Sequence, residues 1–290
     1  MFKKRKTAAE NPFRRDMLPH NRRQLWKDTV KLQYLPLLIQ GMVLFIFAIP
    51  LTLNLLIADI YIAGLTGDVQ TVLAEAATVQ LGAAAVSIAL LAVLGVGLAG
   101  LLRICRQYAW GEVVTPTHDF VVGIKQNVKQ TVGFMILAGL VYTSCVYADI
   151  LLNTNPDSVM QYVSAAWTTV VLLFFLPIGA YMLVCIAVYN NTMWQNFIQG
   201  FVLYMKAPLK TLGSLFCCFG IGFLYIIPST AFRFVLTIIF MVGMPFMLLG
   251  WFLCAYNRLD RFVNCDKHPH LVNKGLYQEG AYDDGEDEDL

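Results

Sequence analysis

Three parts of this sequence have side-chain types or spacings that can support chemistry. Gly95–Gly100 matches the G-x-G-x-x-G string of dinucleotide-binding loops, and Cys265–His270 contains side chains that can bind a metal. Residues 103–129 bring arginines, lysines, carboxylates and an amide into one short stretch. Such a cluster can bind anionic headgroups or a complementary protein surface.

The first two parts are not predicted to be sites. A dinucleotide fingerprint follows a strand and faces water, whereas Gly95–Gly100 lies within a long apolar run. A structural zinc site needs four ligands at suitable spacing, which Cys265, His268 and His270 do not supply. The sequence also lacks Walker, H-E-x-x-H and G-x-S-x-G motifs. We therefore predict no catalytic residue, no metal, no cofactor and no enzymatic activity.

The composition places the remaining cluster in a membrane protein. The chain has 290 residues, of which 58% are hydrophobic and 14% are charged, and its mean hydropathy is +0.61. An average soluble domain is roughly 45–50% apolar and about 25% charged. This difference excludes an ordinary soluble domain, a disordered chain and a nucleic-acid-binding protein for the bulk of the sequence. The lipid bilayer is thus a predicted partner, and nucleic acid is not.

Six apolar stretches are long enough to cross the bilayer as helices, since a span needs about 20 apolar residues and must satisfy its own backbone. The predicted fold class is all-α, a bundle of six transmembrane helices over residues 35–256. A basic segment, residues 1–34, precedes it, and a tail, residues 257–290, follows it and ends in an acidic run. The predicted spans are Leu35–Leu56, Leu81–Leu102, Thr131–Leu152, Ala165–Tyr189, Thr211–Ala231 and Phe234–Tyr256.

The basic residues predict the orientation. Of the 21 Lys and Arg residues, all except Arg233 lie on one side of the predicted spans. The positive-inside rule then places both termini in the cytoplasm, which an even number of spans requires. The predicted location is the plasma membrane, with the chain crossing it several times.

A short repeat bears on the architecture. Phe120–Lys129 reads FVVGIKQNVK and Phe201–Lys210 reads FVLYMKAPLK, and the two align without a gap. The same offset carries predicted helices two and three onto helices four and five, which predicts repeated helix-loop-helix hairpins. Two interpretations stay open. Each segment is an interfacial turn whose lysines face headgroups, or the hairpin is duplicated and its cytoplasmic helices dock a partner.

The second predicted helix carries small residues at helical spacing, which let membrane helices approach closely. We therefore expect this stripe to pack at the centre of the bundle, and a leucine at Ala89 or Ala92 to be more destabilising than one at Ser87. The predicted packing residues are Gly82, Ala85, Ala89, Ala92 and Ala99.

The polar cluster is the candidate site, because no charged residue occupies the middle of a predicted span. Its residues are predicted to bind a protein partner or anionic headgroups. We expect Glu112→Gln with Asp119→Asn to weaken partner recovery without affecting membrane insertion. The candidate residues are Arg103, Arg106, Glu112, Asp119, Lys125, Asn127 and Lys129, together with Lys206 and Lys210 from the second repeat.

The segment Arg103–Gly133 also resembles the YesL-like family. An arginine-bearing helix end, the pair Gly111-Glu112, a short turn, the pair Asp119-Phe120 and a lysine-bearing helix carry the resemblance. The family consists of bacterial multi-pass membrane proteins built around a domain of unknown function. The resemblance implies a bacterial plasma membrane and, through association with carbohydrate uptake, an accessory role in transport. It supplies no catalytic residues.

Two function classes remain. The first is a non-catalytic accessory or regulatory component that docks on a membrane transport complex or a cytoplasmic protein. The second is a small-solute permease or channel. The lack of charged residues near mid-span favours the first class, and the prolines within the spans together with the repeated hairpins keep the second open.

The orientation can be tested with a reporter that is active only in the cytoplasm. Fused at either terminus, it is expected to be active, because the basic residues flank the inner ends of the spans. Inserted near Asn155, the same reporter is expected to be silent. Activity measured in intact cells decides the matter, and an external terminus would contradict the prediction of six spans.

Overall fold

The computed structural model describes residues 19–154, 159–189, 191–227 and 229–277. The described chain is helical. Its helices are α1 (Arg22–Ala63), α2 (Val69–Ala109), α3 (Pro116–Thr154), α4 (Val159–Val170), α5 (Leu176–Val188), α6 (Met193–Lys206), α7 (Pro208–Phe219), α8 (Thr230–Leu259) and α9 (Cys265–Lys267). Irregular turns join some of them: a π turn at Val171–Phe175, a 3-10 turn at Gly220–Ile226, a π turn at Asp260–Asn264 and a 3-10 turn at Pro269–Leu271.

Six helices in these ranges are long and apolar enough to cross a membrane, which confirms the predicted all-α bundle of six spans. Their order matches the sequence prediction. The candidate spans are Arg22–Ala63, Val69–Ala109, Pro116–Leu152, Val159–Val188, Pro208–Tyr225 and Ala231–Lys267.

The first helix begins well before the predicted span. Asn21 caps it, since its side chain accepts a hydrogen bond of 2.8 Å from the backbone N–H of Gln24. The backbone then leaves helical geometry at Gln33, three residues before Pro36. A proline inside a helix removes a hydrogen bond and clashes with the preceding turn, which explains the kink. Residues 22–32 thus form a distinct first segment of α1.

Both ends of the described chain lie at one end of the bundle. The backbone N–H of Tyr277 donates to the carbonyl of Pro19 over 3.1 Å. The end of α2 and the last residues of α5 meet them there. We call this the terminal end; the basic residues 1–18 and the acidic run after residue 277 lie outside the described residues.

Helix α2 contacts α1, α3, α5 and α8, so its predicted central position is confirmed. Glycines bring it close to α3. A Cβ atom on Gly123 would lie 2.8 Å from the Cβ of Arg103, and one on Gly139 would lie 2.9 Å from the Cα of Ile88. The ring of Phe120 occupies the space that a side chain on Gly100 would fill. The G-x-G-x-x-G string is therefore part of a helix–helix contact and not a nucleotide loop.

The predicted packing stripe of α2 was wrong in its register. Gly82, Ala85 and Ala89 are exposed, Ala92 is half-buried, and Ala99 is the one member that is fully buried. Small residues occur on adjacent faces of α2, and periodicity alone does not show which face meets a neighbouring helix. The packed face carries Ala84, Ser87, Leu94, Gly95 and Leu98.

The two similar segments adopt different structures. Phe120–Lys129 lies within the unbroken helix α3, whereas Phe201–Lys210 is divided at Ala207 between α6 and α7. Pro208 begins α7, and it stands where the first segment has Asn127. A residue before proline is disfavoured in the helical region, so the chain turns at Ala207, where φ is −153° and ψ is 61°. The hairpins therefore match in sequence more closely than in structure.

The corrected face of α2 reverses the sequence-based expectation for two substitutions. Ser87 is fully buried, accepts from Asn54 Nδ2 over 3.1 Å and donates to the carbonyl of Ala83. Ser87→Leu is expected to cost about 1–3 kcal/mol through overpacking. Ala89→Leu, on the exposed side, is expected to leave thermal stability in detergent nearly unchanged. A greater loss for Ala89→Leu would contradict the packing described here.

Candidate functional site

Two of the predicted site residues pair with each other. Arg103 on α2 lies 3.5 Å from the carboxylate of Asp119 on α3 and donates to Gln126 Oε1 over 2.6 Å. The other carboxylate oxygen of Asp119 accepts from the backbone N–H of Thr115 over 2.7 Å, at the first turn of α3. Asp119 is only 6% exposed. The pair therefore joins α2 to the start of α3 and leaves Asp119 inaccessible to a partner.

Arg106 and Glu112 also bind within the chain. Arg106 donates to the carbonyl of Ala187 at the end of α5 over 2.9 Å, and its guanidinium lies 4.8 Å from the centre of the Trp110 ring. Glu112 accepts from Lys274 Nζ over 3.1 Å. Both side chains of this second pair are more than one-third exposed, so it contributes little stability.

The three residues of the lysine-bearing segment point in two directions. Asn127 is buried, with its amide nitrogen 3.5 Å from the carbonyl of Ala99 on α2. Lys125 and Lys129 are exposed on the other side of α3. The structure therefore keeps the two lysines together as a surface and separates Asn127 from them.

Lys206 and Lys210 line a cavity of about 690 Å³ beside the break at Ala207. The end of α6, the start of α7 and the end of α8 form its walls. It is separate from the α2–α3 pair, so the predicted site divides into an internal network, the exposed pair Lys125 and Lys129, and a basic cavity at the same end of the bundle.

The most buried ion pair at the terminal end was not predicted from the sequence. Arg22 donates to the carboxylate of Asp260 over 2.9 Å, and each side chain is 7% exposed. The other terminal nitrogen of Arg22 donates to the carbonyls of Ala109 and Lys274, each over 2.8 Å. One guanidinium thereby connects the first turn of α1, the end of α2, the end of α8 and the last described segment.

Aromatic hydroxyl groups extend this contact. Trp110 donates through Nε1 to the hydroxyl of Tyr256 over 3.0 Å, and Tyr256 donates to the carbonyl of Leu271 over 3.0 Å. Tyr189 donates to the side-chain oxygen of Asn264, whose amide donates to Asp260 over 2.7 Å. Burial raises the pKa of the Tyr189 hydroxyl above its ordinary value.

The opposite end of the bundle contains a second cavity of about 370 Å³ between α1, α2, α3 and α4. Asp59 and Asp149 are among its lining residues. Asp59 also lies 3.5 Å from Arg233, in a pair whose side chains are each more than one-third exposed. The two cavities share no lining residue.

Little in the sequence distinguishes Arg22 or Asp260 from its neighbours. Arg22 stands next to Arg23, and Asp260 lies between Arg258 and Arg261. The helical periodicity of α8 does indicate that Asp260 is buried. If α8 is extended past its apolar run, Asp260 falls one helical turn after the buried Tyr256, on the face directed to the core.

The described residues contain no group of three or more His, Cys, Asp or Glu side chains that could hold a metal. Comparisons with protein-family models, curated proteins and solved structures find no match for this chain. The terminal end is therefore characterised by its own residues, which are cationic side chains and hydrogen-bonding groups that connect the ends of helices.

Breaking the buried pair is expected to be costly. Asp260→Asn or Arg22→Gln should each lower the free energy of unfolding by about 3–5 kcal/mol, because the remaining charge is left buried without a counter-ion. Arg233→Gln, which breaks an exposed pair, is the matched control and should cost about 1 kcal/mol or less. Thermal unfolding in detergent measures all three. Equal effects of Arg22→Gln and Arg233→Gln would show that the buried pair contributes no special stability.

Proposed function

We propose that this protein is a non-catalytic accessory or regulatory component of the plasma membrane, with its terminal end in the cytoplasm. The observation that supports this proposal best is the division of charge at that end. Arg22, Arg103 and Arg106 bind carboxylates and carbonyls inside the chain, whereas Lys125 and Lys129 are left on the surface. Charge used internally stabilises the fold, and charge left outside is available to a partner.

The cavities also favour an accessory role over a permease. They lie at opposite ends of the bundle and between different helices. Large side chains such as Trp251, Tyr181 and Phe252 are fully buried among the described helices. A solute path would need one continuous polar cavity across the bundle. These two cavities are separate and do not form such a path. An association with solute uptake, and with carbohydrate uptake in particular, rests on the resemblance of Arg103–Gly133 alone.

The partner-binding surface in this proposal differs from the one expected from sequence. Asp119 is buried against Arg103, so Asp119→Asn would disturb the helix contact as well as any docking. Glu112 is engaged by Lys274. A test that uses Glu112 and Asp119 would therefore mix stability with binding, and Lys125 with Lys129 is the cleaner pair.

Reversing the charge of Lys125 and Lys129 to glutamate is expected to reduce recovery of a co-purifying partner in mild detergent several-fold. Thermal stability should stay nearly unchanged, because both side chains are exposed. Lys27→Glu with Lys31→Glu is the matched control, since these lysines are also exposed and four residues apart. Partner recovery is measured by quantitative mass spectrometry.

The permease alternative makes the opposite prediction for the purified protein. In liposomes loaded with mono- and disaccharides, the accessory role predicts no protein-dependent efflux. Efflux that depends on the protein would replace the accessory proposal with transport.

In the partner-recovery experiment, equal loss in the Lys125/Lys129 variant and the Lys27/Lys31 variant would show that docking depends on overall charge and not on α3.

A further inference from the structure

The cavity beside Ala207 has a composition that sets it apart from the rest of the bundle. It has a volume of about 690 Å³ and opens where α6 ends and α7 begins. No carboxylate is among its lining residues, which are Lys206, Ala207, Pro208, Leu209, Lys210, Cys254, Asn257, Arg258, Arg261 and Phe262. Two lysines and two arginines therefore surround one space.

These four cations are not neutralised by the described part of the chain. Arg258 is held by neutral oxygens, since it donates to Tyr181 Oη and Ser214 Oγ over 2.7 Å each. It also donates to the backbone carbonyl of Lys210 over 2.8 Å. Lys206, Lys210 and Arg261 form no ion pair with any described acidic residue. Such a concentration of like charge is unfavourable unless an anion enters it.

Apart from Asn257, the remaining walls are apolar or weakly polar, which suits an amphiphilic ligand. The ring of Phe262 lies 4.8 Å from Lys206 Nζ and 5.5 Å from the guanidinium of Arg261. Leu209 is 83% exposed at the first turn of α7. An exposed leucine next to basic groups is typical of the level at which lipid chains meet their headgroups.

The start of α7 adds further donors. Pro208 occupies the first position of this 12-residue helix, and no side chain caps it. Pro208 has no N–H, and the N–H of Thr211 donates to the carbonyl of Ala207. The first turn therefore leaves the N–H groups of Leu209 and Lys210 without a partner inside the helix, and such groups favour an anion. Leu209 and Lys210 both line the cavity that holds the four cations.

We propose that this cavity binds the headgroup of an anionic phospholipid, with its acyl chains lying along α7. A lipid suits the site better than a soluble anion, because α7 begins the candidate membrane span Pro208–Tyr225 and the cavity lies at the start of that span. Four cations match a headgroup with two phosphates, such as cardiolipin, better than one with a single phosphodiester. The inference depends on the membrane location and not on the accessory role.

The test uses the full-length, delipidated protein with defined lipids in native mass spectrometry. Cardiolipin and phosphatidylglycerol are expected to bind, cardiolipin more tightly, and phosphatidylcholine is not. Lys206→Gln with Lys210→Gln should weaken cardiolipin binding about tenfold or more, since each basic group near an anionic headgroup contributes substantially. The thermal stability of this variant without lipid should match that of the unmodified protein, since both lysines are exposed.

Lys125→Gln with Lys129→Gln is the matched control. These lysines align with Lys206 and Lys210 in the similar segment, but they lie on an unbroken helix. Retained cardiolipin binding in this control supports the cavity. An equal loss in both variants would overturn it, because binding would then depend on diffuse charge.

Two further measurements distinguish other occupants. If inorganic phosphate at millimolar concentration raises thermal stability as much as cardiolipin does, the ligand is a soluble anion and the lipid proposal fails. A full-length variant in which the acids of the run after residue 277 are replaced by their amides tests that run. If this variant gains cardiolipin affinity tenfold, the chain's own tail competes for the cavity, and lipid is not its native occupant.

Discussion

Burial of a guanidinium group is the constraint on which the terminal end of this bundle depends. An arginine side chain remains charged inside a protein, so Arg22 requires a counter-ion and acceptors for its donors. Asp260 provides the charge and accepts from one terminal nitrogen, and two backbone carbonyls from distant parts of the chain accept from the other. The helix ends must therefore meet at one point. Gly275 allows this close approach, since its φ of 84° is in the left-handed region and a Cβ atom would lie 2.6 Å from the carbonyl of Ala109.

The membrane part of the bundle depends on a different constraint. Lipid tails are as apolar as the side chains, so helices associate there through close packing and not through the hydrophobic effect. Gly41 packs directly against the backbone of Val242, and Gly139 packs against Ile88. These contacts bring α1 to α8 and α2 to α3. The polar contacts at the terminal end and the glycine contacts within the spans thus connect the same helices at two levels.

The number and order of the spans could be predicted from the sequence, because apolar length is a property of each segment alone. The faces that pack could not. Gly82 and Gly100 have the same residue type within one helix, yet only Gly100 meets a neighbouring side chain. That difference depends on where α3 lies. The buried ion pair was missed for a similar reason, because Arg22 and Asp260 are 238 residues apart and nothing in the local sequence connects them. At the candidate site, the sequence shows which residues near the membrane surface are charged. It does not show which of these charges are already paired within the chain.

The difference between the two similar segments shows how a single residue can change what a basic sequence does. Lys125 and Lys129 correspond in the alignment to Lys206 and Lys210. In α3 the lysines remain on the flank of a continuous helix, because Asn127 keeps its backbone N–H. In the second segment Pro208 has no N–H to donate, and the helix divides at Ala207. Arg258 at the end of α8 and Arg261 in the π turn after it also line the space beside this break. A loss of one hydrogen-bond donor therefore converts an exposed lysine pair into part of a basic cavity.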